Sequence, residues 1–216
     1  MKLTTKIIPI AAATIMIGHV DVARSAGFST EFSTTPTSQY IWRGFDLNQE
    51  NAALQGDVTV SHETGFWFGA WASNYDVGVD DGVEIDLMAG YDFAVSDLVS
   101  LGVGVTEYTF TGDTSSSTEY YASVSVGQFS LTYYDDVDLD ATYLSLDAEF
   151  ALTDEFSLIL HTGEYDVTGV GDNTDWAIGT SYAASESLSL WATYSDNELD
   201  VEGAEDYLVI GASFSF

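Results

Sequence analysis

The stretch Gly82–Asp92, GVEIDLMAGYD, alternates apolar and polar positions with a period of two. Successive side chains of a β-strand point to opposite faces, so this period indicates a strand. One face carries Val83, Ile85, Leu87, Ala89 and Tyr91, and the other carries Glu84, Asp86, Met88, Gly90 and Asp92. The stretch therefore predicts a strand that separates an apolar environment from a polar one.

The same period recurs from Phe28 to Phe216, without a convincing helical period in any segment. The predicted strands, about twelve in number, are residues 28–44 (broken near Pro36), 52–62, 66–75, 83–92, 98–110, 118–126, 129–134, 141–150, 156–165, 175–183, 188–195 and 206–216. Their connectors alternate between short turns, such as GQ, and longer or acidic loops, such as DDVDLD. Because odd and even connectors of an antiparallel meander lie at opposite ends, we predict a short-turn end and an acidic-loop end.

Two β architectures would explain this pattern. A soluble β-sandwich turns its apolar residues inward, whereas a transmembrane barrel turns them toward lipid. The even strand number, the two unlike ends, the aromatic residues near strand ends and the terminal Phe216 favour the barrel. We therefore predict one all-β domain over residues 27–216, an antiparallel up-and-down transmembrane β-barrel of about 12 strands.

Residues 1–26 have the layout of a secretory signal peptide. A positively charged start is followed by an apolar run, residues 7–18, that is too short to span a bilayer as a helix. Cleavage after Ser25 places the small Ala23 at the third position before the cut, whereas cleavage after Ala26 places Arg24 there. The prediction is cleavage near 25/26, and a retained anchor helix is the alternative.

The chain is strongly acidic, with 35 Asp and Glu, 4 Lys and Arg, and a net charge of −31. Removal of residues 1–26 would leave 34 acids (35 − 1), one base (4 − 3) and a net charge of −33. Nucleic-acid binding and a polybasic membrane anchor are excluded, because nothing would neutralise phosphates. The lack of cysteine excludes disulfides and thiolate chemistry, and 46% hydrophobic and 14% aromatic residues argue against disorder.

Two acids interrupt the predicted lipid face. Glu107 shares its parity with Val103 and Val105, unless a bulge near Thr106 resets the phase. Glu164 shares its parity with the leucines of its own strand. Both are expected near the loop end, where a charge costs less than at the bilayer midplane.

Five ordered blocks resemble a known family. They are TSQYIWRG at Thr37–Gly44, AALQG at Ala52–Gly56, SHETGFW at Ser61–Trp67, GAWASN at Gly69–Asn74 and VEID at Val83–Asp86. As a set they are similar to the blocks of the TorF-type porins, a Gram-negative family also described as the conserved Gcw_chp domain. The chain departs from the family pattern at Ala52, where proline is expected. The resemblance covers about residues 38–93 strongly and implies an outer-membrane barrel with a porin function.

Arg43 is the only Lys or Arg after residue 26. The alternation in QYIWRGF places Trp42 in an aromatic girdle on the lipid side and Arg43 on the lumen side. There we expect the guanidinium to meet inward acids on nearby strands, such as Asp57, Glu84 and Asp86. Two hypotheses stay open: a structural counter-ion for the wall, or a constriction residue of a pore.

Six carboxylates join Arg43 as candidate lumen charges. They are Asp57, Glu84, Asp86, Glu119, Asp147 and Glu149. In a water-filled path they would attract cations and repel anions. In a plugged interior they would be satisfied by tyrosine, serine and threonine hydroxyls instead.

Other chemistries have weaker support in the sequence. The Asp-rich loops offer oxygen ligands for Ca²⁺ but lack EF-hand spacing, so they are interpreted as solvated loops. No resident metal or cofactor is predicted. His62 lies beside a turn as a structural hydrogen-bonding group, and His161 has no nucleophile signature around it, so an enzyme is not predicted.

The sequence therefore predicts an outer-membrane porin for passive diffusion of small solutes, with a preference for cations. The alternative is a non-conducting structural or adhesive barrel whose acidic loops meet ions or partner proteins. The expected partners are outer-membrane lipid and, during biogenesis, the barrel assembly machinery, with Phe216 as part of the assembly signal.

Overall fold

A computed structural model describes residues 23–25, 27–199 and 206–216 of the chain. The predicted signal peptide falls outside the described residues except for Ala23–Ser25, which form strand β1. Its removal therefore stays a prediction. No helix in the described ranges is long and apolar enough to cross a membrane.

The described chain consists of β-strands joined by turns and loops. After β1 come β2 (Phe28–Thr37), β3 (Ile41–Trp42), β4 (Phe45–Asp46), β5 (Ala53–His62), β6 (Phe66–Asp76), β7 (Asp81–Ala94), β8 (Val99–Phe110), β9 (Ser117–Val126), β10 (Phe129–Asp136), β11 (Ala141–Ala151), β12 (Phe156–Val167), β13 (Gly171–Ser185), β14 (Leu188–Asn197) and β15 (Tyr207–Ser215). The bounds agree with the predicted strands to within a few residues, except at the end of the first.

The strands close into a barrel. From β5 to β15 each strand pairs antiparallel with the next, and β2 pairs with both β5 and β15. The resulting sheet has thirteen strands, of which β1 pairs with β2 and the other twelve form the wall. Closure gives the edge strands backbone partners, which a strand wall in lipid requires. The predicted closed twelve-stranded antiparallel barrel is confirmed.

The outer face of the barrel is apolar and carries aromatic rings at both rims. Exposed aliphatic residues between the rims include Leu87, Leu131, Leu146, Ile178 and Ile210. At the short-turn rim the rings of Phe66 and Tyr91 lie 4.6 Å apart, and at the loop rim those of Trp176 and Tyr194 lie 5.6 Å apart. Two aromatic girdles around an apolar band are typical of barrels that sit in a bilayer.

The two acids that interrupt the predicted lipid face, Glu107 and Glu164, remain on the outer face. The pairing of β7 with β8 is continuous and sets Leu87 opposite Glu107, so no bulge turns Glu107 inward. The Thr118 hydroxyl donates a hydrogen bond to the Glu107 carboxylate at 2.9 Å. Glu164 is exposed and lies opposite Leu144. Both acids lie toward the loop rim, where their desolvation cost is low.

The first strand departs from its prediction. β2 ends at Thr37, and residues 38–52, here called the inner hairpin, leave the wall and form the paired strands β3 and β4. The hairpin turns at Arg43 and Gly44, whose φ angles are +49° and +83°. Two successive left-handed residues suit a tight hairpin turn, although the conformation costs a non-glycine residue about 1 to 2 kcal/mol. The prediction of a strand to residue 44 was wrong because the chain leaves the wall after Thr37 and folds back as a hairpin.

The base of the inner hairpin is bonded to the wall. The Ser38 amide donates to the Ile210 carbonyl at 2.8 Å, and the Ser38 hydroxyl accepts from the Ile210 amide at 3.0 Å. On the returning side the Leu47 carbonyl accepts from the Asp76 amide at 2.9 Å. Asn48 is 2% exposed, and its side-chain amide donates to two backbone carbonyls of its own turn at 3.1 and 2.9 Å. These bonds fix both ends of the hairpin.

Candidate functional site

The inner hairpin reaches from β2 and β5 to strands on other sides of the lumen. The Tyr40 hydroxyl donates to the Glu84 carboxylate on β7 at 2.9 Å. The Asn197 side chain on β14 donates to the Gly44 carbonyl at 2.7 Å. Contacts with strands this far apart around the wall require the hairpin to lie inside the barrel. It occupies the half of the lumen nearest the loop rim, here called the loop half.

Arg43 forms a buried ion pair at the tip of the inner hairpin. Its Nη2 donates to Oε1 of Glu119 on β9 at 2.6 Å, and the two side chains are 4% and 2% exposed. The Tyr108 hydroxyl donates to the other Glu119 oxygen at 2.9 Å. A charge-assisted bond between buried groups is strong, and loss of either partner leaves the other charge uncompensated.

A row of tyrosines surrounds the guanidinium. Tyr121, Tyr134, Tyr143 and Tyr165 stand opposite one another on β9 to β12. Successive ring centroids are 5.9, 5.9 and 6.1 Å apart. The Arg43 Cζ atom lies 5.1, 4.3 and 5.2 Å from the centroids of Tyr134, Tyr143 and Tyr165. These distances are within the range of cation–π attraction, so the wall encloses the cation with aromatic faces.

A second polar group adjoins the first through Tyr143. Its hydroxyl donates to Asp175 Oδ1 at 2.9 Å and lies 2.8 Å from His161 Nε2. His161 Nε2 also lies 2.8 Å from Asp175 Oδ2, and its Nδ1 lies 2.6 Å from Asp147 Oδ1. Both imidazole nitrogens are therefore engaged by carboxylates, and neither is free to activate a serine hydroxyl.

The six predicted carboxylates all lie on the inner face. They are Asp57, Glu84, Asp86, Glu119, Asp147 and Glu149, and their strands are β5, β7, β9 and β11. Their shared parity with buried side chains places them there; for example, Glu84 is 3% and Asp86 8% exposed. Four strands thus contribute negative charge to one lumen.

Two details of the Arg43 prediction were wrong. Arg43 bonds Glu119, not the expected Asp57, Glu84 or Asp86, because the hairpin carries it across the lumen. Trp42 does not lie in the aromatic girdle. It packs inside, edge-on to Tyr165 with ring centroids 5.6 Å apart, and its own ring centroid is 4.4 Å from Arg43 Cζ.

Several inner-face groups were not identified from the sequence. Asp136 and Asp175 are each 3% exposed. Their parity with Tyr134 and Ala177 on the same strands was the available signal. Each of four successive strands carries a tyrosine at an inward-facing position, which the sequence pattern could have shown, but only the register shows that the rings meet.

The half of the lumen nearest the short-turn rim, here called the turn half, has a different lining. Its inner positions are mostly small, among them Ser33, Ser61, Gly69, Gly102, Ser123, Ser125, Ser157, Gly179, Ser181, Ser213 and Ser215. Its large rings lie flat against the wall: a Cβ atom on Gly90 would be 2.5 Å from the Trp67 ring, and one on Gly211 would be 2.3 Å from the Trp191 ring. Glycine under each ring keeps the ring out of the lumen.

Asp80 joins two loops outside the strands. Its carboxylate accepts hydrogen bonds from the Thr114 hydroxyl at 2.5 Å, the Tyr75 hydroxyl at 2.7 Å and the backbone amides of Asp113 and Thr114 at 2.9 and 2.8 Å. These donors, the Thr114 hydroxyl first, hold the pKa of Asp80 well below its usual range. Asp80 therefore remains ionised as a link between the connectors 77–80 and 111–116.

The remaining predictions concern His62 and metal binding. His62 Nδ1 lies 2.6 Å from the Thr64 hydroxyl beside the turn, and the imidazole ring packs on Phe28 with centroids 4.5 Å apart. Among the residues that the structure describes, no group of three or more His, Cys, Asp or Glu side chains is arranged to hold a metal ion.

Several solved outer-membrane channels share this architecture. The KdgM porin superposes with a TM-score of 0.67 at 12% identity, covering 86% of this chain and 99% of that chain. The NanC porin gives 0.61 at 12% identity, covering 85% and 98%. An outer membrane channel from Pseudomonas putida F1 gives 0.53 at 10% identity, covering 97% and 99%. At such low identity the likeness shows the fold alone.

Sequence comparison assigns the family. No curated protein matches the chain. The family model described as "Bacterial protein of unknown function (Gcw_chp)" matches residues 23–211, which include every long strand of the barrel wall in whole or in large part. The chain therefore belongs to the Gcw_chp family of bacterial proteins.

Proposed function

We propose that this protein is an outer-membrane porin that lets small solutes diffuse passively and prefers cations. The TorF-type assignment, the outer-membrane location and the cation preference all belong to this proposal. The barrel fold, the two aromatic girdles and the likeness to porin structures support it. The inner hairpin narrows the path at the loop half, and solutes pass beside it.

The main support for the proposal is the charge of the inner face. Carboxylates project inward from β5, β7, β9 and β11, whereas Arg43 is the only Lys or Arg after residue 26. A confined path with excess fixed negative charge concentrates cations and repels anions.

Ion selectivity in planar bilayers tests the proposal. In a KCl gradient the reversal potential should move toward the potassium equilibrium potential. The preference should weaken at about 1 M salt, where the Debye length falls to about 3 Å. An anion-selective channel would refute the role given to the inner carboxylates.

A non-conducting barrel is the second candidate, and the inner hairpin favours it. Several inner residues of the loop half are almost fully covered, including Ser73 at 1% and Glu119 at 2% exposure. A closed lumen would give barrels that insert into bilayers without current. Insertion confirmed by protease protection, together with zero conductance, would select this candidate.

Biogenesis can be tested separately from conduction. The protein should fractionate with outer membranes and migrate faster in gels before boiling than after it. A soluble periplasmic pool without this heat-dependent shift would contradict the outer-membrane location.

Phe216 is proposed as part of the signal for the barrel assembly machinery. Its ring is exposed on the outer face, and its amide donates to the Phe32 carbonyl at 2.9 Å. Deletion of Phe216 should reduce the folded, heat-modifiable fraction, whereas Phe216→Tyr, which keeps a terminal ring, should preserve it. Equal folded yields for the deletion and the wild type would refute this role.

A further inference from the structure

We propose that the wall of the loop half contains a binding site for flat organic cations of the guanidinium class, which Arg43 occupies as a tethered ligand. This inference rests on the proposed function, because it names the solute class that the constriction would recognise. The site consists of the Glu119 carboxylate and the rings of Tyr134, Tyr143 and Tyr165.

The contacts of Arg43 define what the site binds. One carboxylate oxygen receives the guanidinium at 2.6 Å. Three wall tyrosines present their rings with centroids 4.3 to 5.2 Å from Cζ. A carboxylate with aromatic faces recognises a planar, delocalised cation by a hydrogen bond and cation–π attraction together. A small hydrated ion such as Na⁺ gains little from the rings, so the site is selective by chemistry.

The wall holds the Glu119 carboxylate and the Tyr143 ring in place without help from the hairpin. Tyr108 on β8 donates to Glu119 Oε2 at 2.9 Å and orients the carboxylate. Asp175 and His161 hold the Tyr143 hydroxyl at 2.9 and 2.8 Å. Because neighbouring wall residues fix both the acid and the central ring, the site is pre-organised for a cation.

The inner hairpin holds Arg43 in a strained backbone conformation. Arg43 takes a left-handed conformation, φ +49°, at a turn position that suits asparagine or glycine better. Such strain concentrates at functional sites when other contacts compensate for it. A soluble guanidinium compound would satisfy Glu119 and the rings equally well without this strain. It should therefore compete with Arg43 and release the hairpin tip from the wall.

Binding of methylguanidinium to the variant Arg43→Ala tests the inference without requiring conduction. We would measure the unfolding temperature of the folded barrel in detergent with methylguanidinium chloride, using sodium chloride at equal ionic strength as the reference. Methylguanidinium should raise the unfolding temperature of Arg43→Ala saturably in the millimolar range. The wild type, whose site is filled, should respond much less.

Two double variants locate the site. Arg43→Ala/Glu119→Gln should bind methylguanidinium more weakly than Arg43→Ala by roughly tenfold to a hundredfold, because a charged hydrogen bond is lost. Arg43→Ala/Glu186→Gln removes an exposed carboxylate from the turn between β13 and β14, and should bind like Arg43→Ala. Equal weakening by both changes would overturn the proposal, since it would indicate nonspecific charge attraction.

Should Arg43→Ala fail to fold, Arg43→Lys gives the same measurement. Its ammonium can pair with Glu119 but lacks the planar group, so methylguanidinium should displace it at lower concentration than it displaces wild-type Arg43. The inference is overturned if neither folded variant is stabilised beyond the sodium chloride reference. A non-conducting barrel that binds methylguanidinium would refute the porin proposal and support the binding site. A conducting barrel that does not bind methylguanidinium would support the porin proposal and refute the binding site.

Discussion

The two halves of the lumen are built on the same twelve strands but have different linings. In the loop half, tyrosines and the inner hairpin narrow the lumen, and carboxylates meet Arg43 and His161. In the turn half, serine and glycine predominate, and the rings of Trp67 and Trp191 lie flat over Gly90 and Gly211. The wall sets the diameter of both halves, whereas side chains and one inserted hairpin determine where the path is narrow. A strand count alone is therefore a poor guide to pore size in such a barrel.

Shortening the inner hairpin should reduce the difference between the two halves of the lumen more than any other change. Replacing residues 40–50 by a short glycine–serine turn would give the loop half a lining of wall residues only. Unitary conductance in planar bilayers should then rise severalfold. Shortening the connector 111–116, which binds Asp80 at the same rim, is the matched control and should change conductance much less. A hairpin deletion that conducts like the wild type would show that the constriction lies elsewhere.

Removing the cation at the hairpin tip should have the next largest effect. Arg43→Gln leaves Glu119 buried without its counter-charge, and the free energy of unfolding should fall by about 3 to 5 kcal/mol. Cation selectivity should increase, because the inner face loses the only Lys or Arg that follows residue 26. Urea unfolding and reversal potentials measure the two effects.

The double variant Arg43→Gln/Glu119→Gln controls for the uncompensated charge of Glu119. It should be less destabilised than Arg43→Gln, since neither partner remains ionised. If Arg43→Gln leaves stability, selectivity and conductance unchanged, then Arg43 does not face the path, and the loop half is not organised around it.

A single methyl group in the turn half should have a smaller effect. Gly90→Ala places a Cβ atom 2.5 Å from the Trp67 ring, and such overpacking costs about 1 to 3 kcal/mol. Gly69→Ala is the matched control, because its nearest neighbour is the flexible end of Met88 at 3.2 Å. In urea unfolding, the free energy of unfolding of Gly90→Ala should be clearly lower than that of Gly69→Ala. Equal stability would show that the rings of the turn half are not held flat by glycine.

The smallest effect concerns pH at the loop rim. The pKa of Asp80 is lowered in the fold by its hydrogen-bond donors, so its contribution to loop stability is complete above the ordinary Asp pKa of about 4. That contribution is lost as pH falls below this value toward the lowered pKa. The protection factors of the amides in connector 111–116, which are corrected for the intrinsic pH dependence of exchange, should therefore fall on acidification.

Asp80→Asn should exchange faster than the wild type at neutral pH and lose most of this pH response. A wild-type connector whose protection does not change on acidification would contradict the role of Asp80.

The sequence predicted the wall well and the lumen only partly. Alternation located strands such as β7 and β11 and placed their acids on the inner face, because pleating depends only on neighbouring residues. The inner hairpin was missed because QYIWRGF alternates like a strand, and no local signal shows that Arg43 adopts a left-handed conformation. The partner of Arg43 could not be predicted either, since Glu119 lies 76 residues away in sequence and meets it only through closure and insertion.

A disulfide across the lumen tests the position of the inner hairpin most directly. The chain has no cysteine. A Cβ atom on Gly44 would lie 2.9 Å from Asn197 Cβ, so the variant Gly44→Cys/Asn197→Cys brings two thiols into reach once the hairpin tip moves away from β14 by about 1 Å, to the Cβ–Cβ separation of about 3.8 Å that a disulfide needs. We would measure cross-linking of folded and boiled protein, and the unitary conductance of oxidised and reduced channels. We expect efficient cross-linking only in the folded barrel, with similar conductance before and after reduction. Folded barrels that do not cross-link, or channels whose conductance falls sharply on oxidation, would show that the hairpin does not lie in the lumen of the conducting state.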